Sequence, residues 1–255
     1  MGARLAWSNL LTVPGVVISS SSEATGYVDD NLANPMRWKK WRSATSTGDQ
    51  WWKADLGANK NFQVLAAMNA VLHTGGTLKA QANATDSWGA PTVSDTFTVP
   101  TTDFTRVLAD WLSTVQNLRW IRFYFTNTGA VNAFVELGAV FAGTYLEPTR
   151  SLSQVLSFRR IDPSVQQFAM GGQRSSVIRP KYHAVSGTFV LQKPAARMLL
   201  RTAYETIGAS LPAILAVDPA NPSMVFYGAL GPTLVAQHRG SDLWDVPIEF
   251  TEDVA

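Results

Sequence analysis

Cysteine is absent from the 255 residues, which excludes disulfides, zinc–thiolate sites and a cysteine nucleophile. Histidine is nearly as scarce. His73, His183 and His238 stand far apart, without H-E-x-x-H or any other metal-ligand spacing. Neither G-x-G-x-x-G nor G-x-x-x-x-G-K-[ST] occurs, and there is no G-x-S-x-G elbow. Long apolar runs are missing as well, so no segment approaches the ~18–20 residues that cross a bilayer as a helix. Near the start Arg4 is the only charge, and Ser8, Asn9, Thr12 and Pro14 break the apolar run that follows. This does not read as a secretion signal, and Ala6 stands where myristoylation wants Ser or Thr. The expectation is a non-enzyme without cofactor. Only paired acids meeting across strands, as in glycoside cleavage, stay open.

Charge is sparse, at 16% of residues, against 46% apolar, which is the balance of a packed globular protein. The length suits two domains of ordinary size. The chain changes character between Phe134 and Arg160. Gly143 frees the backbone, Glu147-Pro148 favours extended geometry, and Arg150, Arg159 and Arg160 then appear among Leu152, Val155, Leu156 and Phe158. We therefore expect one domain over 1–146 and another over 147–255.

Nine tryptophans are the other conspicuous feature, and most belong in cores. Over 51–56, Trp52, Ala54 and Leu56 share one face of a strand and Trp51, Lys53 and Asp55 the other. Ile121, Phe123 and Phe125 alternate with Arg122 and Tyr124 in the same way. Many short strands of this kind, separated by turns, point to a jelly-roll sandwich. One helix is expected in this half, over Asp103–Leu118. Its signal is the spacing of Phe104, Val107, Leu108, Trp111, Leu112 and Val115, with Asp103 as cap.

In the second half strand signals come first, with a turn at Gly171-Gly172. Val185, Gly187, Phe189 and Leu191 take one face of the last of these strands. A helix over about 194–207 follows, opened by Pro194 and closed by Gly208, with Ala196, Leu199, Leu200, Ala203 and Ile207 as its buried stripe. Further strands end on Leu243–Phe250.

The ordered series Trp41-Arg42-Ser43, Trp51-Trp52-Lys53-Ala54-Asp55-Leu56-Gly57, Trp120-Ile121-Arg122-Phe123 and a last strand with Glu136 resembles the discoidin branch of the galactose-binding-like superfamily, over about 15–145. That resemblance implies a calcium-binding loop near the Glu of the last strand, shaped by an Asp-Gly turn. Here Ala33-Asn34-Pro35 stands in its place, and Asp29, Asp30, Asn34 and Glu136 are the oxygens left for a hard cation. It also implies sugar binding, for which Trp38 with Arg37, and Trp88, are candidates alongside the alternative that they cover loop edges or contact a neighbouring subunit. The second half resembles the tail-tube-like sandwich of long-tailed bacteriophages. The residues are Arg179-Pro180-Lys181-Tyr182 leading into Ser186-Gly187-Thr188-Phe189, the lone helix, and Trp244 to Glu252.

The combined expectation is a mainly β protein, a galactose-binding-like jelly roll followed by a tail-tube-like sandwich with one helix. The resemblance implies a distal-tail-like protein of the virion tail tip or baseplate, made in the host cytoplasm. Copies would form a ring, six by family resemblance, beside tube and hub proteins. The alternative is a carbohydrate-binding adhesin or tail-fibre module that recognises host-surface glycan. Charge bears on the ring. Residues 148–201 carry nine basic side chains and one acidic, and 202–255 carry one basic and seven acidic. Either these pair within one sheet or they face each other between copies. In the second case Arg159, Arg160, Arg179, Arg197 and Arg201 meet Asp242, Glu249 and Glu252. The basic run lacks an aromatic-interleaved reading motif, so no specific nucleic-acid binding is expected.

Overall fold

The computed structural model describes residues 2–45, 48–72, 76–99, 106–126, 134–148, 150, 152, 156–168 and 174–253. The turn signal at Gly171-Gly172 and the expected cap Asp103 lie outside these. The chain is mainly β and divides into two compact units. The first is Ala3–Leu146 with Ile214–Phe226, and the second is Glu147–Ala213 with Tyr227–Ala255. A boundary thus falls at Leu146/Glu147, while 214–226 groups with the first unit rather than with its sequence neighbours.

The first unit contains β1 (Arg4–Ala6), β2 (Val17–Ser20), β3 (Trp41–Arg42), β4 (Gln50–Met68) and β5 (Thr77–Asn83). After them come β6 (Val93–Phe97), β7 (Val107–Thr126), β8 (Glu136–Leu137) and β9 (Ala139–Gly143). The 19-residue β4 and 20-residue β7 pair along most of their length, with register shifts at Asp55/Lys60 and Phe62/Val64. Only the second shift reverses the facing of β4, because a change of parity moves every side chain to the other face. Trp52, Ala54, Leu56 and Phe62 point to the core before it, and Leu65 and Ala67 after it. The first half of β4 borders β2 and the second half β9. The two halves enclose one core, to which Trp41, Phe62, Leu78, Ala80, Ile121, Phe123, Phe125 and Val140 contribute. That is a β-sandwich.

Of the helix expected over Asp103–Leu118, the described part from Val107 onward is strand β7. Val107 and Leu108 are adjacent and both buried, so the sheet is covered on both faces at this end. Val115, which belonged to the helical stripe, is 52% exposed. A bulged strand buried on two faces at one end mimics helical spacing, and pairing with β4 decides the outcome.

The second unit holds β10 (Ser157–Ile161), β11 (Val165–Phe168), β12 (Arg174–Val177), β13 (Tyr182–Gln192) and α1 (Pro194–Ile207). The chain continues through β14 (Ala213–Ala216), β15 (Val225–Leu230), β16 (Gln237–Gly240) and β17 (Leu243–Glu252). Within the first unit β1 pairs with Ile214–Ala216 of β14. Within the second, β13 lies between β10 and β17, and β17 also pairs with β16 and with Gly228–Leu230. Pro194 opens α1, and Gly208, at φ 53°, closes it with its N–H on the Tyr204 carbonyl at 2.8 Å. The buried stripe is Ala196, Leu200, Ala203 and Ile207. Leu199, expected in it, is 46% exposed, because it lies one step round the helix from Leu200. Leu191 departs from the Val185–Phe189 face too. A bulge between Phe189 and Gln192 puts it at φ 51° and buries Gln192 fully instead.

Candidate functional site

Alternation in the first unit fixes a second surface as firmly as the core. With Trp52 and Ala54 inside, Trp51, Lys53 and Asp55 stand on the outer face. Trp120, Arg122 and Tyr124 of β7 stand beside them, and so do Lys79, Gln81 and Asn83 of β5. Register aligns these as three rows: Trp51–Tyr124–Lys79, Lys53–Arg122–Gln81 and Asp55–Trp120–Asn83. The outer rows contribute the rings Trp51, Tyr124 and Trp120, and the middle one two cations and an amide.

The middle row is held in place by its neighbours. Lys53 Nζ lies 4.9 Å from the Trp51 ring centre and 5.3 Å from that of Trp120. Arg122 donates from Nε and Nη2 to Gln81 Oε1, at 2.9 and 2.6 Å. Its guanidinium lies 4.3 Å from the Trp88 ring and 4.5 Å from the Tyr124 ring. Trp88, from the loop between β5 and β6, donates its indole N–H to Asp86 Oδ1 at 2.6 Å. Asp86 Oδ2 takes Lys53 Nζ at 2.5 Å. The Tyr124 hydroxyl donates to Asp49, and Arg119 grips both oxygens of Asp55 at 2.6 Å.

These pairings set the protonation states. Burial pulls the Asp86 carboxyl upward, but hydrogen bonds from Lys53 and Trp88 outweigh it and hold Asp86 below the ordinary carboxylate value. The hydrogen bond from Arg119 lowers Asp55. The bond to Asp49, then burial, raises Tyr124, which therefore stays a neutral donor. At neutral pH the face presents four half-buried rings, Trp51, Trp88, Trp120 and Tyr124, around fixed donors and acceptors. An apolar ring face with a polar rim is the complement of such a surface.

The loop candidates are placed differently. Arg37 is 1% exposed, and its Nε donates to Asn69 Oδ1 at 3.0 Å. Asn69 sits at φ 53°, a conformation asparagine tolerates better than most residues. A Cβ on Gly138 would come within 2.6 Å of Asn69 Cβ and 2.8 Å of the Arg37 carbonyl, so only glycine fits beneath them. Arg37 is thus part of the packing. Trp38 beside it is 63% exposed, with Lys39 Nζ 5.5 Å from its ring.

Glu136 is 3% exposed and both its oxygens are taken. Lys40 Nζ lies 2.7 Å from Oε1 and Arg42 Nη2 2.6 Å from Oε2. Arg42 is in turn 4.0 Å from the Tyr27 ring centre and 4.0 Å from that of Phe134. Two cations therefore stand where a metal would need open oxygens. Asp29 and Asp30 begin a 3-10 turn, Asp29–Ala33, and the Asp29 N–H donates to Glu23 Oε1 at 2.8 Å. Burial first, then the neighbouring Glu23 and Asp30, push the Asp29 carboxyl up to about 6. Asn34 Oδ1 accepts from the Met36 N–H at 3.0 Å. Among the described residues, no group of three or more His, Asp or Glu is placed to hold a metal ion.

No protein-family model matches this chain, and no curated protein matches it in sequence. Solved structures do. One is chitosan-binding module 1 of a chitosanase/glucanase from Paenibacillus sp. IK-5, at TM-score 0.41 and 18% identity, covering 53% of this chain and 98% of that one. Another is the lectin domain of Lectinolysin complexed with Lewis B antigen, at 0.43 and 15%, covering 54% and 96%. A third is the family 32 carbohydrate-binding module of C. perfringens NanJ in complex with galactose, at 0.42 and 12%, covering 56% and 99%.

In the second unit Arg159, Arg160 and Arg179 are exposed. Arg197 stacks on Trp244, 4.2 Å from its ring centre, and Arg201 pairs with Glu205 at 2.6 Å. Glu252 accepts from the His183 N–H at 3.0 Å and meets its Nδ1 at 2.7 Å. Asp242 turns the chain at φ 57° between β16 and β17, and Glu249 is exposed on β17. Lys181–Asp162 at 3.1 Å and Arg239–Asp245 at 2.7 Å are further pairs inside the unit. Of these residues the sequence marks Trp88, a loop tryptophan, as a candidate, but not its companions Trp51, Lys53, Trp120, Arg122 and Tyr124. The signal that finds them is the alternation itself, taken on the side away from the core.

Proposed function

We propose that the first unit binds carbohydrate on the outer face of β5, β7 and β4. The observation that carries this reading is the set of half-buried rings Trp51, Trp88, Trp120 and Tyr124 around Lys53, Arg122 and Asp86. A pyranose offers an apolar face of C–H groups and a rim of hydroxyls. The indole rings take the first, and the charged and amide groups, already oriented by their mutual hydrogen bonds, take the second. Pre-oriented groups lose little entropy on binding. Trp88 stays in the site, Arg37 drops out because it is buried, and Trp38 remains a separate exposed ring. Affinity electrophoresis in gels cast with neutral, acidic and amino polysaccharides tests the proposal. Retardation in at least one gel, lost in Trp88→Ala and Trp120→Ala, supports it. Equal mobility in every gel refutes it.

A second reading concerns the second unit and rests on the β11–β12 hairpin. Among the described residues its strands pair only with each other, and a lone two-stranded hairpin is marginal in water. Val165, Val177 and Ile178 on and after it are 42%, 58% and 85% exposed. This supports assembly of copies into a ring, as in a phage tail tip flanked by tube and hub proteins, with the glycan face of the first unit turned to the host surface. Light scattering separates the cases: a ring that dissociates on Ile178→Asp supports the reading, and a monomer at every concentration and salt level contradicts it.

A further inference from the structure

Along α1, Arg197, Arg201 and Tyr204 recur at i, i+4 and i+7, so they stand in one row beside the buried stripe. Facing them is the segment joining β15 to β16. A cavity of about 330 Å³ lies between that row, Glu205, and Leu234 and Ala236, at the lower end of the ~300–1,000 Å³ range of small-molecule sites. Neither reading above uses it.

Two polar atoms of its lining are buried without a hydrogen-bond partner, Arg197 Nε and Tyr204 Oη. Such atoms are rare in folded proteins and call for an explanation. Arg201 is different, because its Nε is already bonded to Glu205 at 2.6 Å. The Arg197 guanidinium lies against Trp244, itself 4.7 Å from the His238 ring. Its remaining contact is weak, Nη2 to Met198 Sδ at 3.8 Å. Burial, then the charge of Glu249, raises the Tyr204 phenol, which therefore remains a neutral donor. The cavity thus offers one cation without a counter-ion, one hydroxyl donor and apolar walls.

The geometry points to a binding site for a small apolar monocarboxylate, its oxygens on Arg197 and Tyr204 and its hydrocarbon against Leu234 and Ala236. A planar guanidinium with an adjacent hydroxyl suits a carboxylate. Glu205 and Glu249 add negative charge nearby, which disfavours a dianion. Leu234 and Ala236 would leave the surroundings of a free phosphate unsatisfied.

The test uses the full chain and sodium butyrate, followed by saturation-transfer NMR and calorimetry, with n-butanol and inorganic phosphate as competitors. Saturable butyrate binding that neither competitor displaces is expected. Removing a hydrogen bond to a charged ligand weakens binding about tenfold or more, and Arg197→Gln and Tyr204→Phe should each do so. If Arg197→Gln loses its fold along with the Trp244 stack, Tyr204→Phe decides alone, since it removes only the hydroxyl. Absence of saturable binding, unchanged affinity in Tyr204→Phe, or displacement by phosphate as effective as by butyrate each overturns the assignment.

Discussion

Replacing Trp52 by alanine and, separately, its neighbour Trp51 tests how the first unit is built. Trp52 is fully buried, its ring centre is 6.1 Å from that of Phe123, and its N–H donates to the Asp29 carbonyl at 3.1 Å. Deleting a buried tryptophan costs about 3–5 kcal/mol through lost transfer energy and the cavity left behind. The orphaned carbonyl of Asp29 adds about 1 kcal/mol. At roughly 2–4 °C per kcal/mol for a unit of this size, the first transition should fall by about 8–24 °C. Trp51 faces outward and is half-buried. Trp51→Ala forfeits mainly its contact with Lys53, about 0.5–1 kcal/mol, and should shift melting by only a few degrees. Differential scanning calorimetry of the full chain resolves the comparison, with Trp52→Phe expected between the two because it keeps an aromatic ring against Phe123. If Trp51→Ala proved the more damaging, or Trp52→Ala melted within about 3 °C of the parent, the facing of β4 would be the reverse of that described.

Three further outcomes are expected. Melting should not respond to chelation or to added calcium, because Lys40 and Arg42 already occupy both oxygens of Glu136; a calcium-dependent rise in Tm would show otherwise. Burial, then Asp95, pushes the Asp110 carboxyl up to about 6, and its Oδ2 has no hydrogen-bond partner. Between pH 4 and 6 the native state binds a proton there that the unfolded chain does not. Stability therefore rises as pH falls through that window, Asp29 adds in the same sense, and the cost is fully present above pH 6. Asp110→Asn should raise Tm at pH 7.5 and flatten the profile between pH 4 and 6; a lower Tm at pH 7.5 would contradict this. Glu136→Ala leaves two half-buried cations unpaired and should cost about 3 kcal/mol, toward the lower end for broken buried pairs, measured by urea unfolding; an unchanged midpoint would mean the cluster is only a solvated surface group.

What the sequence discloses divides along physical lines. The two-residue period at Trp51–Leu56 and Ile121–Phe125 is local, so the strands and the inward side of Trp52 could be read directly. The ends of α1 follow from Pro194 and Gly208 in the same way. Bulges are not local in this sense. They scrambled the period of β7 into an apparent helix over Asp103–Leu118 and turned Leu191 out of line. Long-range partners are hidden too. The buried state of Arg37 depends on Asn69, and the neutralisation of Glu136 depends on Lys40 and Arg42, all brought together by folding. The basic run after Pro148 gave no sign that Arg197 would settle on Trp244, or that Arg201 would pair with Glu205. The outer face was legible in its parts, since every second residue was marked as outward. Only the register of β4, β7 and β5 sets those parts side by side.

The most direct measurement is affinity electrophoresis of four proteins, the parent chain, Trp88→Ala, Trp120→Ala and Trp38→Ala, through gels with and without each polysaccharide class. Binding on the outer face of the sheet requires that the parent and Trp38→Ala be retarded alike. It requires that Trp88→Ala and Trp120→Ala run as they do in the blank gel, each folded by circular dichroism. Retardation lost in Trp38→Ala and kept in the other two would move the site to the loop, and a parent chain that no polysaccharide slows would contradict carbohydrate binding altogether.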